Sequence, residues 1–213
     1  MHGTSCRVHA GDRIAITGPS GSGKSTLLHL MAGLEQPTRG RVTWPHLPGG
    51  ASDLAREIGV VFQGPSLIPA LDVAENTQLP LDLAGLPQAQ ARARAEAALA
   101  RVGVTDLARK LPEELSGGQA QRVAIARVLA LRPSLILADE PTGQLDQATG
   151  QHVIDVLLAA AHDTGAALVV TTHDEAVAAR LPIRWRMHDG RLLDTDPPPT
   201  PPTAHAAPPQ EES

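Results

Sequence analysis

Arg13-Ile-Ala-Ile-Thr-Gly-Pro-Ser-Gly-Ser-Gly-Lys-Ser-Thr26 reads as a short buried strand, Arg13–Thr17, that runs into a glycine-rich loop and then into a helix over Lys24–Gly33. Gly18, Pro19, Ser20, Gly21, Ser22, Gly23, Lys24, Ser25 and Thr26 fit the pattern G-x-x-x-x-G-K-[ST]. The glycines let successive backbone N–H groups curl around phosphate oxygens, and the helix that follows adds its positive end. In this pattern Lys24 reaches the β- and γ-phosphates and the Ser25 hydroxyl sits on Mg²⁺. A Gly/Ser linker could carry the same letters by chance. Against that, the chain has 18 basic side chains of which only Lys24 and Lys110 are lysines, and one of the two stands here.

Further along, Leu135-Ile-Leu-Ala-Asp-Glu140 is an apolar strand ending in two acids. It is expected beside the strand that feeds the loop. Asp139 would then hold Mg²⁺ through its ligand shell, and Glu140 would face the water that attacks the γ-phosphate, as a general base. Between loop and acids lies Leu115-Ser-Gly-Gly-Gln119, in which Ser116, Gly117, Gly118 and Gln119 open a helix over Gln119–Leu131. This is a second anion-binding helix end. One nucleotide rarely needs two such ends from one subunit, so the second fits the γ-phosphate of a partner in a two-fold dimer.

Strand character recurs at Arg41–Trp44, Ile58–Phe62 and Ala167–Thr171, with helices between and after. A Pro/Gly-rich turn region separates the first two of these. Helices alternating with buried apolar strands predict a parallel sheet covered on both faces. From about Gly64 to Leu115, prolines punctuate short helical pieces, and Gln88–Val102 reads as an Ala/Arg-rich helix within an inserted helical lobe. Arg92, Arg94 and Arg101 on that helix read as a solvated face. Ile183–Met187 and Arg191–Leu193, joined through His188-Asp189-Gly190, read as a terminal hairpin. The stretch 197–213 is proline-rich and without periodicity, which predicts a disordered tail after a domain over 1–196.

Composition sets limits. Apolar residues make up 42% of the 213, and the formal net charge is −5 with no long basic run, which argues against a protein held to nucleic acid by phosphate contacts. A single cysteine, Cys6, excludes an intrachain disulfide and fits a reducing cytoplasm. No stretch approaches the roughly 20 apolar residues that span a bilayer. If the protein serves transport, the membrane pore belongs to another chain.

Taken in register, these motifs resemble the ABC ATPases, from about Arg7 to Asp194. The chain is also similar to one branch, the ATPases paired with lipoprotein-releasing, macrolide-export and cell-division-type permeases. The finer likeness rests on GPSGSGKSTLLHLMAGLEQPTRGRV at 18–42, VVFQ at 60–63 and LIPALDVAENTQLPLDLAG at 67–85. The resemblance implies an α/β fold, a phosphate-loop NTPase core with a mostly parallel sheet plus an inserted helical lobe at about 64–115. It implies that Gln63 ligands Mg²⁺ and senses the transport partner. Asp146, in the loop Gly143-Gln-Leu-Asp146, would cross a dimer interface, and His173 would contact the γ-phosphate. Two copies would sandwich two Mg-ATP and drive an integral-membrane permease from the cytoplasmic face of the cell membrane. A soluble ABC ATPase acting on nucleic acid or ribosomes, and a regulatory module that binds ATP without transport, are the alternatives. One family feature has no match: an aromatic upstream of Arg7 that stacks on adenine. None of the 17 residues before Gly18 is Tyr, Phe or Trp. The expectation is therefore either a start upstream of Met1 or adenine held without that stack.

Overall fold

The computed structural model describes residues 3–45 and 51–195, with the side chains of 51–53 and of 194–195 left aside. In chain order the elements are β1 (Arg13–Thr17), α1 (Lys24–Met31), α2 (Ala51–Glu57), β2 (Ile58–Val61), α3 (Val73–Leu83), α4 (Gln88–Arg101), α5 (Gly117–Ala130), β3 (Leu135–Asp139), α6 (Gln147–Thr164), β4 (Ala167–Thr172), α7 (Glu175–Ala178), β5 (Ile183–His188) and β6 (Arg191–Thr195). The six strands form one sheet in the order β2-β3-β4-β1-β5-β6. Every pairing is parallel except the hairpin β5–β6.

The alternation of side chains along each central strand feeds two cores. Ala15, Ile136, Ala138, Leu168 and Val170 face one way, onto α5, α6 and the helical lobe. Ile14, Ile16, Leu137 and Val169 face the other way, onto α1, with Ile183, Trp185 and Met187 beside them. Burying a side chain of Leu or Ile size contributes about 1.5–3 kcal/mol, so strands dry on both faces hold the sheet together. β4 is the extreme case, with all six residues buried.

That burial accounts for one correction. The acidic strand β3 does not lie beside β1; β4 is hydrogen-bonded to both and separates them. β4, buried along its whole length, takes an interior position, where it is covered on both faces. Two further expectations fail between residues 41 and 57. Arg41–Trp44 forms no strand among the described residues. Its Trp44 indole donates instead to the Met31 carbonyl at 2.9 Å, pinning the segment to the end of α1. The turn region before β2 contains the helix α2.

The helical lobe is built on small side chains. In α4, Ala91, Ala95, Ala98 and Leu99 lie buried on one face, at the helical spacing i, i+4, i+7, i+8. Asp72 starts α3 with a reciprocal cap, its carboxylate accepting from Glu75 N while Glu75 accepts from Asp72 N. Asn76, wholly buried, accepts from Ile68 N and donates to the carbonyls of Ile68, Leu71 and Asp72, which fixes the loop leading into α3. α3 and α4 pack on each other and on α5. Arg101 is not simply solvated: it pairs with Asp163 of α6, tying lobe to core. No helix among the described residues is long and apolar enough to cross a membrane. The expected tail, 197–213, lies outside the described residues.

Candidate functional site

The C-terminal ends of the parallel strands carry the polar residues, as open α/β sheets require of a ligand crevice. β1 delivers the loop Gly18–Gly23, and α1 begins at Lys24. Two contacts from the β5–β6 hairpin hold this loop. A Cβ on Gly18, which has φ +150°, would stand 2.2 Å from the Met187 carbonyl oxygen, so only glycine fits there. The Gly190 N–H, in the hairpin turn, donates to the Ser22 carbonyl at 2.9 Å. The turn itself runs through Asp189 at φ +46° and Gly190 at φ +71°, the left-handed pair that two-residue hairpins demand.

Lys24 is buried at 5% exposure. Its ammonium donates to the Gly18 and Pro19 carbonyls at 3.0 and 3.1 Å and stands 3.8 Å from Glu140 Oε1. Glu140 follows β3 with φ +43°, a strained conformation for a residue with a long side chain. Its backbone is over-determined: Glu140 N donates to the Thr171 carbonyl at 3.1 Å and to Thr171 Oγ1 at 3.0 Å, and Gly143 N donates to the Glu140 carbonyl at 3.0 Å. Glu140 Oε2 lies 3.2 Å from His173 Nδ1. The carboxylate thus bridges a buried ammonium and an exposed imidazole. Glu140, Thr142, Gly143, Thr172, His173 and Asp174 line a cleft of about 110 Å³.

Asp139 is 7% exposed and accepts a hydrogen bond from the Thr171 hydroxyl. Ser25 is exposed in the first turn of α1, and Gln63 is exposed just past the end of β2. Since Val61 pairs with Ala138, Gln63 leaves the sheet at the same edge as the two acids. Among the described residues no cluster of three or more His, Cys, Asp or Glu could cage a metal. The donors present are isolated oxygens of Ser25, Gln63 and Asp139. That set fits a hard cation bound mainly through substrate phosphates and water, as Mg²⁺ usually is.

Ser116 and Gln119 close a capping box on α5: Gln119 N donates to Ser116 Oγ at 3.3 Å, and Ser116 N to Gln119 Oε1 at 2.9 Å. Gly117 and Gly118 form the first turn of α5 rather than a turn before it. Gly118 packs against Leu145 and Thr149, so this helix start touches the loop that ends in Asp146. Asp146 caps α6, taking the Thr149 N–H at 3.0 Å and the Thr149 hydroxyl at 2.6 Å. The Thr149 hydroxyl, helped by backbone N–H donors, holds the Asp146 carboxyl below the ordinary aspartate value. A depressed folded-state value stabilises above the unfolded value and is lost as pH falls through the folded one. Asp146→Ala is therefore expected to melt below the parent protein at pH 7, with the gap narrowing only below about pH 4, while Asp146→Asn keeps most of the cap. Thermal melts of the three proteins against pH check this, and a gap that closes already by pH 6 would contradict it.

The structure brings Lys24, Asp139, Glu140 and His173 together at one strand edge, with Gln63 leaving beside them. Sequence reasoning missed Thr171, which joins both acids to β4. Its signal was a hydroxyl at the end of an otherwise apolar strand. It also missed the hairpin contacts to the loop, which join positions far apart in the chain.

The comparisons with known proteins place the family and the fold. The family model described as "ABC transporter" matches residues 1–143. The lipoprotein-releasing system ATP-binding protein LolD of Legionella pneumophila (strain Paris) is 42% identical over 199 residues, covering 90% of this chain and 88% of the relative. An uncharacterized ABC transporter ATP-binding protein of Mycobacterium tuberculosis (strain ATCC 25618 / H37Rv) is 45% identical over 193 residues, covering 86% and 77%. Among solved structures, the dimeric post-hydrolysis state of the ATP-binding cassette MJ0796 bound to ADP and Pi superposes with a TM-score of 0.83 at 36% identity, covering 91% and 88%. The cbiO1 structure from Clostridium perfringens, part of the cbiONQ ABC transporter complex, gives 0.80 at 30% identity, covering 91% and 80%.

Proposed function

The chain belongs to the ABC transporter ATP-binding family, and on that premise we propose that it is the ATP-hydrolysing subunit of a transporter, driving a separate integral-membrane permease. The observation that carries the reading is the bridge Lys24–Glu140–His173 at the mouth of the phosphate loop. A buried cation and a carboxylate base side by side, with an imidazole holding the base, can serve in-line attack of water on a γ-phosphate.

In this reading the amides of Gly18–Ser25, with Pro19, Ser20 and Thr26 shaping the loop, cradle the phosphates of ATP, and Lys24 offsets the charge that builds on the β- and γ-oxygens. Glu140 orients the attacking water and takes its proton. His173 holds Glu140 and reaches the γ-phosphate. Ser25, Gln63 and Asp139 would hold Mg²⁺, which would supply neutralising charge to the phosphates. Ser116, Gly117, Gly118 and Gln119 would offer the positive start of α5 to the γ-phosphate bound by a second copy, with Asp146 at the same interface. Support for a homodimer comes from the dimeric MJ0796 cassette. The domain would span 1–196 with its helical lobe at about 64–115, and the permease would dock on that lobe. The subunit would sit on the inner face of the membrane, without nucleic acid.

The test is expression with and without its permease. The expected result is Mg-dependent ATP hydrolysis by the purified chain, ATP-dependent dimerisation, and co-migration with the permease in detergent. ATP binding and permease association without turnover would instead favour a regulatory module.

A further inference from the structure

Residues 62–66 leave the edge strand β2 and carry Gln63; the Phe62 ring tilts against His29 of α1, 6.1 Å between centroids, while the backbone of the segment is held from outside. α5 does this from the side. Gln121, buried at 3% exposure, donates its Nε2 to the Phe62 carbonyl at 3.1 Å. Arg127, nearly two turns further along the same helix, donates from its guanidinium to the Ser66 carbonyl at 2.9 Å and to the Pro65 carbonyl at 3.4 Å. Ser66 is held at φ +45°, so the segment is bent where Arg127 grips it. Gln63 sits between the two attachments. It makes none of these contacts and projects as an exposed residue.

A second observation marks Gln121. Its Oε1 is buried and meets no hydrogen-bond partner among the described residues. A buried amide carbonyl without a donor is costly, and an apolar side chain of the same length would avoid that cost. A glutamine tolerated there has a use for its donor end. That donor end is spent on one carbonyl, the one directly before Gln63.

We propose that Gln121, with Arg127 as its second clamp, is a positioning residue that sets Gln63 in the nucleotide site according to the place of α5. The proposal rests on Gln63 acting in that site. α5 begins at Gly117, about 6 Å of helix axis from Gln121. One rigid helix therefore carries both the end offered to a partner copy's nucleotide and the clamp on this copy's Gln63. A shift of the helix start on engaging the partner moves the Phe62 carbonyl with it, so each nucleotide site reports its occupancy to the other.

The experiment uses the full chain with Mg-ATP and compares Gln121→Met, Gln63→Ala and the double variant, with melting temperatures for all three. Gln121→Met keeps length and burial but cannot donate. The expected result is a kcat about tenfold lower, as misplacement of a catalytic group produces, with KM for ATP within about twofold. The melting temperature stays level or rises, and the double variant is no slower than Gln63→Ala alone, since contacting residues in one network are non-additive. Arg127→Lys, which keeps the charge and loses the fork, is the second variant and follows the same non-additive pattern. A slow Gln63→Ala beside a Gln121→Met of unchanged kcat overturns the positioning role alone, as do effects that multiply in the double variant. A Gln63→Ala of unchanged kcat overturns the role of Gln63 first, and the positioning role falls with it.

Discussion

Glu140→Gln binds ATP with near-parental affinity and loses turnover by about 10²–10⁴-fold, the range that a positioned general base supplies. The substitution is isosteric, so the strained backbone at φ +43° and its three hydrogen bonds to Thr171 and Gly143 stay in place. What changes is chemical: an amide cannot take a proton from water. The carboxylate that stood 3.8 Å from Lys24 also becomes neutral. The Lys24 ammonium, released from a competing anion, faces the phosphates more fully, so ATP is held at least as tightly. Binding without hydrolysis should accumulate an ATP-bound dimer. Sizing with and without Mg-ATP and a turnover assay read both effects together. Hydrolysis at the parental rate would show that Glu140 is not the base, and a monomer under all conditions would separate base chemistry from dimerisation.

Lys24→Ala fails one step earlier. Its ammonium is buried at 5% exposure and satisfied by the Gly18 and Pro19 carbonyls. Removing one partner of a buried, hydrogen-bonded charge pair costs about 2–5 kcal/mol, which corresponds to a loss in ATP affinity of about 30-fold to several thousand-fold. The fold survives. Ala is the strongest helix former and Lys24 is only the first residue of α1, while the loop stays gripped by the hairpin through Gly18 and Ser22. Equilibrium nucleotide binding, with a melt as control, checks the result. Parental affinity in a folded Lys24→Ala would remove the loop from the site.

These two residues were legible in the sequence because their motifs are local. A strand, a glycine loop and a lysine in one run place themselves, and so do two acids ending an apolar strand. What was not legible depended on partners distant in the chain. Arg41-Val-Thr-Trp44 alternates like a strand, yet pairing is a property of a neighbour, and Trp44 finds the Met31 carbonyl instead. The order of strands is likewise not written in β3. It follows from β4 being the strand that most needs cover on both faces. α2 was hidden by the prolines and glycines before it. The strain at Glu140 and the grip of Gln121 on Phe62 join residues 31 and 59 positions apart, which no local pattern announces.

The helical lobe has a consequence for cooperativity. α3 and α4 pack on one another and on α5, while the sheet's central strands are sealed between α1 on one face and α5 and α6 on the other. α5 is thus a shared beam between the lobe and the sheet. The amides of β4, bonded on both sides and dry, belong to the unit that opens only with global unfolding, whereas those of α3 and α4 belong to a foldon of lower opening free energy. Hydrogen exchange is expected to open the lobe's amides before those of β4 and the phosphate loop. The molecule therefore holds a stiff nucleotide platform and a compliant arm within one chain of 213 residues.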